Sequence, residues 1–129
     1  MIDFHLEPRS GVAPYMQLVH QVQQALRLGM LDVGDQLPTV KQVVAKIAIN
    51  PNTVLKAYRE LERQGLVAPQ PGRGTFVTAT LADASLDAHA ELGTALQHWI
   101  TTARAAGLDD AAIQALFDTT IRTAPQATP

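Results

Sequence analysis

The sequence predicts a mainly α chain with a small β-hairpin: an N-terminal winged helix-turn-helix followed by a two-helix C-terminal appendage. Three observations carry this. Asn50-Pro51-Asn52-Thr53-Val54 reads as an abrupt helix start with a short polar tip. Thr39 to Gln42 reads as the start of a shorter helix just upstream, and two β-prone runs flank a Pro- and Gly-rich turn just downstream. The expected division is a winged helix over residues 1–77, a helical dimerisation region over 78–123 and a flexible tail over 124–129.

Residues 1–13 read as a short lead with a candidate strand around Phe4 to Leu6. Pro14 fits the first turn of a helix, where its missing N–H would be unbonded anyway. Tyr15, Leu18, Val19, Val22 and Leu26, extended to Met30, give that helix its apolar face. Val33-Gly34-Asp35 reads as a turn. Gln36-Leu37-Pro38 reads as extended, because the residue before proline avoids the helical region. Thr39 and Gln42 then fit a capping box, each side chain satisfying the other's backbone N–H. The short helix behind it is expected to bury Val40, Val43, Val44 and Ile47, and Ala48-Ile49 is the link to the next.

Asn50 is a good N-cap and Pro51 a good first helical residue. Val54, Leu55, Tyr58 and Leu61 recur at helical spacing as a buried face, with Lys56, Arg59 and Arg63 on the remainder. Tyr58 reads as core rather than as a stacking residue. A polar tip, a buried face and basic flanks are the parts of a helix that reads the DNA major groove with its N-terminal residues. Gly65 suits the left-handed position after that helix. Leu66-Val67-Ala68 and Thr75-Phe76-Val77 read as strands joined by a turn from Pro69 to Gly74, a wing with Arg73 near its tip.

The composition then changes. Thr78 to Ser85 is small and polar and reads as a linker. Ala84 to Ala106 reads as an amphipathic helix with Ala88, Leu92, Ala95, Leu96, Trp99, Ile100 and Ala103 on one face, weakened at Gly93 and ended by Gly107. Asp109 caps a last helix, with Leu108 and Ile113 as a hydrophobic staple and Leu116, Phe117 and Ile121 continuing the face. Thr123 to Pro129 reads as a frayed end.

The formal net charge is −2, but it is unevenly spread. Residues 36–80 carry Lys41, Lys46, Lys56, Arg59, Arg63 and Arg73 against Glu60 and Glu62, a net of +4; residues 81–129 carry a net of −4. A basic segment beside an acidic one suggests two tasks. There is no cysteine, which excludes disulfides and thiolate metal sites and fits a reducing cytoplasm. The N-terminus lacks a signal pattern, and no apolar run approaches the roughly 20 residues that span a bilayer, so no membrane association is expected. His5, His20, His89 and His98 show no tight ligand spacing. No nucleophile with its base, carboxylate pair or phosphate loop is visible, and Gly72-x-Gly74 sits in a hairpin, not at a strand-to-helix turn. No enzyme activity, metal or cofactor is expected.

Over roughly residues 13 to 77 the chain resembles the GntR family of bacterial transcription regulators. The resemblance rests on ordered pieces: Pro14-Tyr15-Met16-Gln17-Leu18, Gly34-Asp35-Gln36-Leu37-Pro38-Thr39-Val40-Lys41, Asn52-Thr53-Val54, Ala57-Tyr58 with Leu61-Glu62 and Gly65-Leu66-Val67, and Gly72-Arg73-Gly74-Thr75-Phe76-Val77. The short C-terminal part looks like the YtrA-type subgroup. The resemblance implies a phosphate contact from Lys41, base and phosphate contacts from Asn50, Asn52 and Thr53, and a minor-groove role for Arg73, Gly74 and Thr75. With Thr39 and Lys56 these are the expected DNA-facing residues. Pro51 and Lys41 stand where many relatives carry Arg, and an Arg lost at the tip removes a bidentate guanine contact.

About fifty residues remain after the wing, too few to enclose a metabolite pocket of ~300–1,000 Å³. They suffice for dimerisation, expected through Leu92, Leu96, Trp99, Ile100, Ala103, Ile113, Leu116 and Phe117. The resemblance implies a homodimeric repressor on a palindromic double-stranded DNA operator, controlling a transporter operon and its own gene; any small-molecule effector stays open. The near-neutral total charge keeps one alternative: a winged helix used as a protein-interaction module without specific DNA readout.

Overall fold

The computed structural model describes residues 1–82 and 86–125. The chain order is α1 (Pro14–Arg27), α2 (Val40–Ile47), α3 (Pro51–Arg63), β1 (Val67–Gln70), β2 (Gly74–Val77), α4 (Leu86–Ala105) and α5 (Asp110–Thr123). The chain divides into two compact units, Met1–Leu86 and Asp87–Pro129. The helix start read at Ala84 and most of the frayed tail lie outside the described residues. Among the described residues, no helix is long and apolar enough to cross a membrane.

In the first unit α3 is the central element, packing on α1, α2 and β1. Leu18, Val19, Val22 and Leu26 of α1 meet Val43 of α2, Val54, Ala57, Tyr58 and Leu61 of α3, and Val67 and Val77 of the hairpin. Burial of these side chains is the main stabilising term, at about 1.5–3 kcal/mol for each large one. Two residues depart from the expected faces. Met30 is 72% exposed: α1 has already ended, and Gly29 has turned left-handed with Met30 N–H donating to the Ala25 carbonyl. Leu55 is 37% exposed, because the small Ala57 takes the buried position against the neighbouring helices. In α2 only Val43 is fully buried; Val40, Val44 and Ile47 are half-buried.

The helix ends follow their local chemistry. Thr39 Oγ1 accepts from Gln42 N–H at 3.1 Å while Gln42 Oε1 accepts from Thr39 N–H at 2.9 Å, the complete capping box. Asn50 Oδ1 accepts from Asn52 N–H at 2.8 Å. At the far end of α3, Gly65 N–H donates to Glu62 O and Leu66 N–H to Leu61 O, the paired bonds of a Schellman motif.

The hairpin pairs Val67 with Val77, Ala68 with Phe76, Pro69 with Thr75 and Gln70 with Gly74. β1 thus runs two residues further than the sequence suggested, through Pro69. It is an outer strand, where proline has no ladder donor to lose. Segment 34–37 lies on the other side of β2: Gly34 N–H reaches Val77 O, Val77 N–H reaches Asp35 O, and Leu37 N–H reaches Thr75 O. The turn between the strands is closed by Arg73 N–H on Gln70 O at 2.9 Å. Pro71 and left-handed Gly72 occupy its centre, as a type II turn requires.

The N-terminal lead forms no strand. Its backbone is held by side chains instead: Gln21 bonds both His5 N–H and His5 O, and Gln17 bonds Glu7 N–H and O, Ser10 Oγ and Val12 O. Phe4, itself in this lead, is buried in the core of the first unit.

The second unit holds α4 and α5, joined by a short turn. α4 ends at left-handed Gly107, with Leu108 N–H on Ala103 O, and Asp109 caps α5 by accepting from Ala112 N–H at 2.8 Å. Leu92, Leu96, Leu116, Phe117 and Ile121 are exposed, while Trp99, Ile100 and Ile113 are half-buried. Ala103 is buried, at 7% exposed, so its side chain offers little surface to a partner.

Candidate nucleic-acid interface

The start of α2, the exposed side of α3 and the hairpin enclose an open groove of about 340 Å³. Thr39 stands at one wall, Leu55, Arg59 and Glu62 along the α3 wall, and Gly74 and Thr75 on the hairpin. Lys41, Asn50 and Asn52 are exposed on the first turns of α2 and α3 or at their caps, and Thr53 is half-buried. Neither first turn carries an acidic side chain. Both helix starts therefore keep the partial positive charge of their free amides, which favours anions.

The cations divide into committed and uncommitted. Lys46 Nζ lies 2.7 Å from Asp3 Oδ1. Arg63 is bonded to Glu60, with Nη2 to Oε2 at 2.6 Å; this bond, then that from Gln64, hold the Glu60 carboxyl down to about 2. Lys56, expected to face DNA, sits 4.0 Å above the Tyr15 ring. Lys41 and Arg59 have no ion-pair partner among the described residues. Arg73 is exposed near the wing tip, its guanidinium 5.8 Å from the Phe76 ring centre. The sequence pattern does not divide Arg59 from Arg63 and places Leu55 in the core. The structure brings Arg59 and Leu55 to the groove and ties Arg63 to Glu60.

One buried bond fixes the groove from behind. Tyr58 Oη donates to Pro38 O at 2.6 Å. Burial pushes its phenol far above the ordinary range, so it remains a neutral donor. It ties the segment that caps α2 directly to α3. Among the described residues no three His, Cys, Asp or Glu side chains cluster as metal ligands would.

Residues 14–77 match the model of the bacterial regulatory proteins of the gntR family. The HTH-type transcriptional repressor YtrA of Bacillus subtilis is 41% identical over 73 residues, which is 57% of this chain and 56% of that protein. The HTH-type transcriptional regulator Rv1152 of Mycobacterium tuberculosis is 34% identical over 104 residues, 80% of this chain and 81% of that protein. The solved structure of AraR(DBD) in complex with operator ORX1 aligns at a TM-score of 0.52 and 25% identity, covering 58% of this chain and 93% of that one. These relatives are named as regulators or repressors, not as enzymes. The match thus spans little more than half of YtrA but most of the mycobacterial regulator. With a winged helix-turn-helix and these matches, the chain belongs to the GntR family of bacterial regulatory proteins.

Proposed function

We propose that this chain is a transcriptional repressor that binds a palindromic DNA operator as a homodimer. The carrying observation is the pattern of cations: Arg59 in the groove and Lys41 on the first turn of α2 have no ion-pair partner among the described residues and Arg73 is exposed near the wing tip, while Lys46 and Arg63 are paired with carboxylates. In this reading the α2 start and Lys41 hold phosphates, and the wing carries Arg73 toward the minor groove. Asn50, Asn52 and Thr53 meet base edges in the major groove, and Leu55 suits a thymine methyl group.

Homodimerisation is supported by the exposed Leu92, Leu96, Leu116 and Phe117 on α4 and α5. Two-fold symmetry then asks for half-sites about one helical turn apart. The winged helix at residues 1–77 and the dimerisation region at 78–123 divide these tasks. A cytoplasmic location goes with this reading, and the DNA upstream of the chain's own gene, or of a neighbouring transporter operon, is the first operator to try.

The test is a mobility-shift titration with that duplex and a shuffled one at two salt concentrations. The expected result is preferential retardation of the upstream duplex that weakens steeply with salt, because phosphate contacts release counterions. Equal affinity for both duplexes, or a flat salt response, would overturn the proposal and favour the protein-interaction reading.

A further inference from the structure

Gln36 lies outside the groove and carries no charge, yet it touches the wing at its most constrained point. It sits in segment 34–37, paired with β2 through a bridge to Phe76. Its Nε2 donates to the Arg73 carbonyl at 3.1 Å. The next residue, Gly74, has φ +125°, and a Cβ there would stand 2.5 Å from Gln36 Nε2. The Gln36 carboxamide therefore occupies the space over Gly74 that a side chain would need. Arg73 is held at both ends: its carbonyl by Gln36, its guanidinium near the ring of Phe76, the bridge partner of Gln36. Three residues further along the same segment, Thr39 caps α2, and the Pro38 carbonyl between them takes the Tyr58 hydroxyl.

The geometry points to Gln36 as the positioning residue of the wing: it fixes where Arg73 is presented to DNA without touching DNA itself. The inference rests on the DNA-binding reading above. Physically, a turn with φ > 0 at two of three consecutive residues has few intrinsic restraints, and an ordered Arg loses less freedom on binding than a swinging one.

The experiment measures affinity of wild type, Gln36→Ala, Arg73→Ala and the double variant for the upstream duplex, at two salt concentrations and with melting curves. Amide exchange of residues 72–74 is followed in the free proteins. Gln36→Ala should weaken binding roughly three- to tenfold, the scale of one hydrogen bond. Exchange at Arg73 should quicken and the melting temperature should hold. The double variant should bind no more weakly than Arg73→Ala and share its salt slope, because Gln36 acts only through Arg73. Gln36→Glu, equal in size but setting a carboxylate against the Arg73 carbonyl, should bind more weakly still than Gln36→Ala. Additive losses would overturn the inference, as would wild-type affinity in Gln36→Ala or a loss that follows a fall in melting temperature. If wild type binds and Arg73→Ala weakens binding while Gln36→Ala does not, the inference alone falls. If wild type shows no preference for the duplex, the DNA-binding reading falls with it.

Discussion

Ala48 is the one described non-glycine residue with positive φ, at +50° in the turn between α2 and α3. A left-handed conformation costs an L-residue roughly 1–2 kcal/mol, while glycine loses about 0.5–1 kcal/mol more backbone freedom on folding. Ala48→Gly should therefore raise stability by up to about 1 kcal/mol, read as a higher urea midpoint, with DNA affinity unchanged; a lower midpoint would contradict the strain argument. Glu60 gives a pH prediction. Its carboxyl lies at about 2 in the folded chain against an ordinary 4.5. A depressed carboxylate contributes stability above its unfolded pKa, and that contribution is lost as pH falls from about 4.5 toward 2. Wild type should lose more stability than Glu60→Gln between neutral pH and about pH 3 in chemical denaturation. At this scale the sequence was informative where a residue's own chemistry decides, as at Asn50, Pro51 and the Thr39–Gln42 box. It was uninformative where neighbours decide: nothing in the order of residues separates Arg59, left free, from Arg63, which finds Glu60 one turn earlier.

The elements were legible in kind more often than in extent. Helical spacing located α1, α2 and α3, but a stripe of apolar positions fits two adjacent rotations, and the structure buries Ala57 while Leu55, expected in the core, is exposed. The Pro- and Gly-rich run from Pro69 to Gly74 reads as turn throughout, yet Pro69 pairs with Thr75 because an outer strand has no partner on its other side. The N-terminal lead looked like a strand from Phe4 to Leu6, whereas two glutamines on α1 supply the bonds a strand would have supplied. The wing and the α2 start each yield a prediction. Lys41→Ala and Arg73→Ala should each weaken DNA binding and lower the salt slope by about one. Both side chains are exposed, so thermal melting should be little changed. An unfolded variant would make that residue structural instead.

For the whole molecule, the basic segment 36–80 lies inside the first compact unit, Met1–Leu86, whose acidic residues Asp3, Glu7, Asp32 and Asp35 offset much of its charge, while the second unit, Asp87–Pro129, is acidic. Periodicity gives the apolar positions of α4 and α5 but does not single out Ala103, which the structure buries at 7% exposed. A double variant Leu96→Glu with Phe117→Glu should be monomeric by light scattering and bind the upstream duplex more weakly, because a monomer loses the second half-site. An intact dimer would remove these side chains from the interface.

On the proposed function, the α2 start, the α3 tip and the wing grip DNA together through one face. Hydrogen exchange of the protein, with and without the upstream duplex, reads that grip residue by residue. Protection should gather at residues 39–42, 50–55 and 72–75 and be absent from residues 1–12. Protection confined to the N-terminal lead or to α4 and α5, with the groove unchanged, would contradict it.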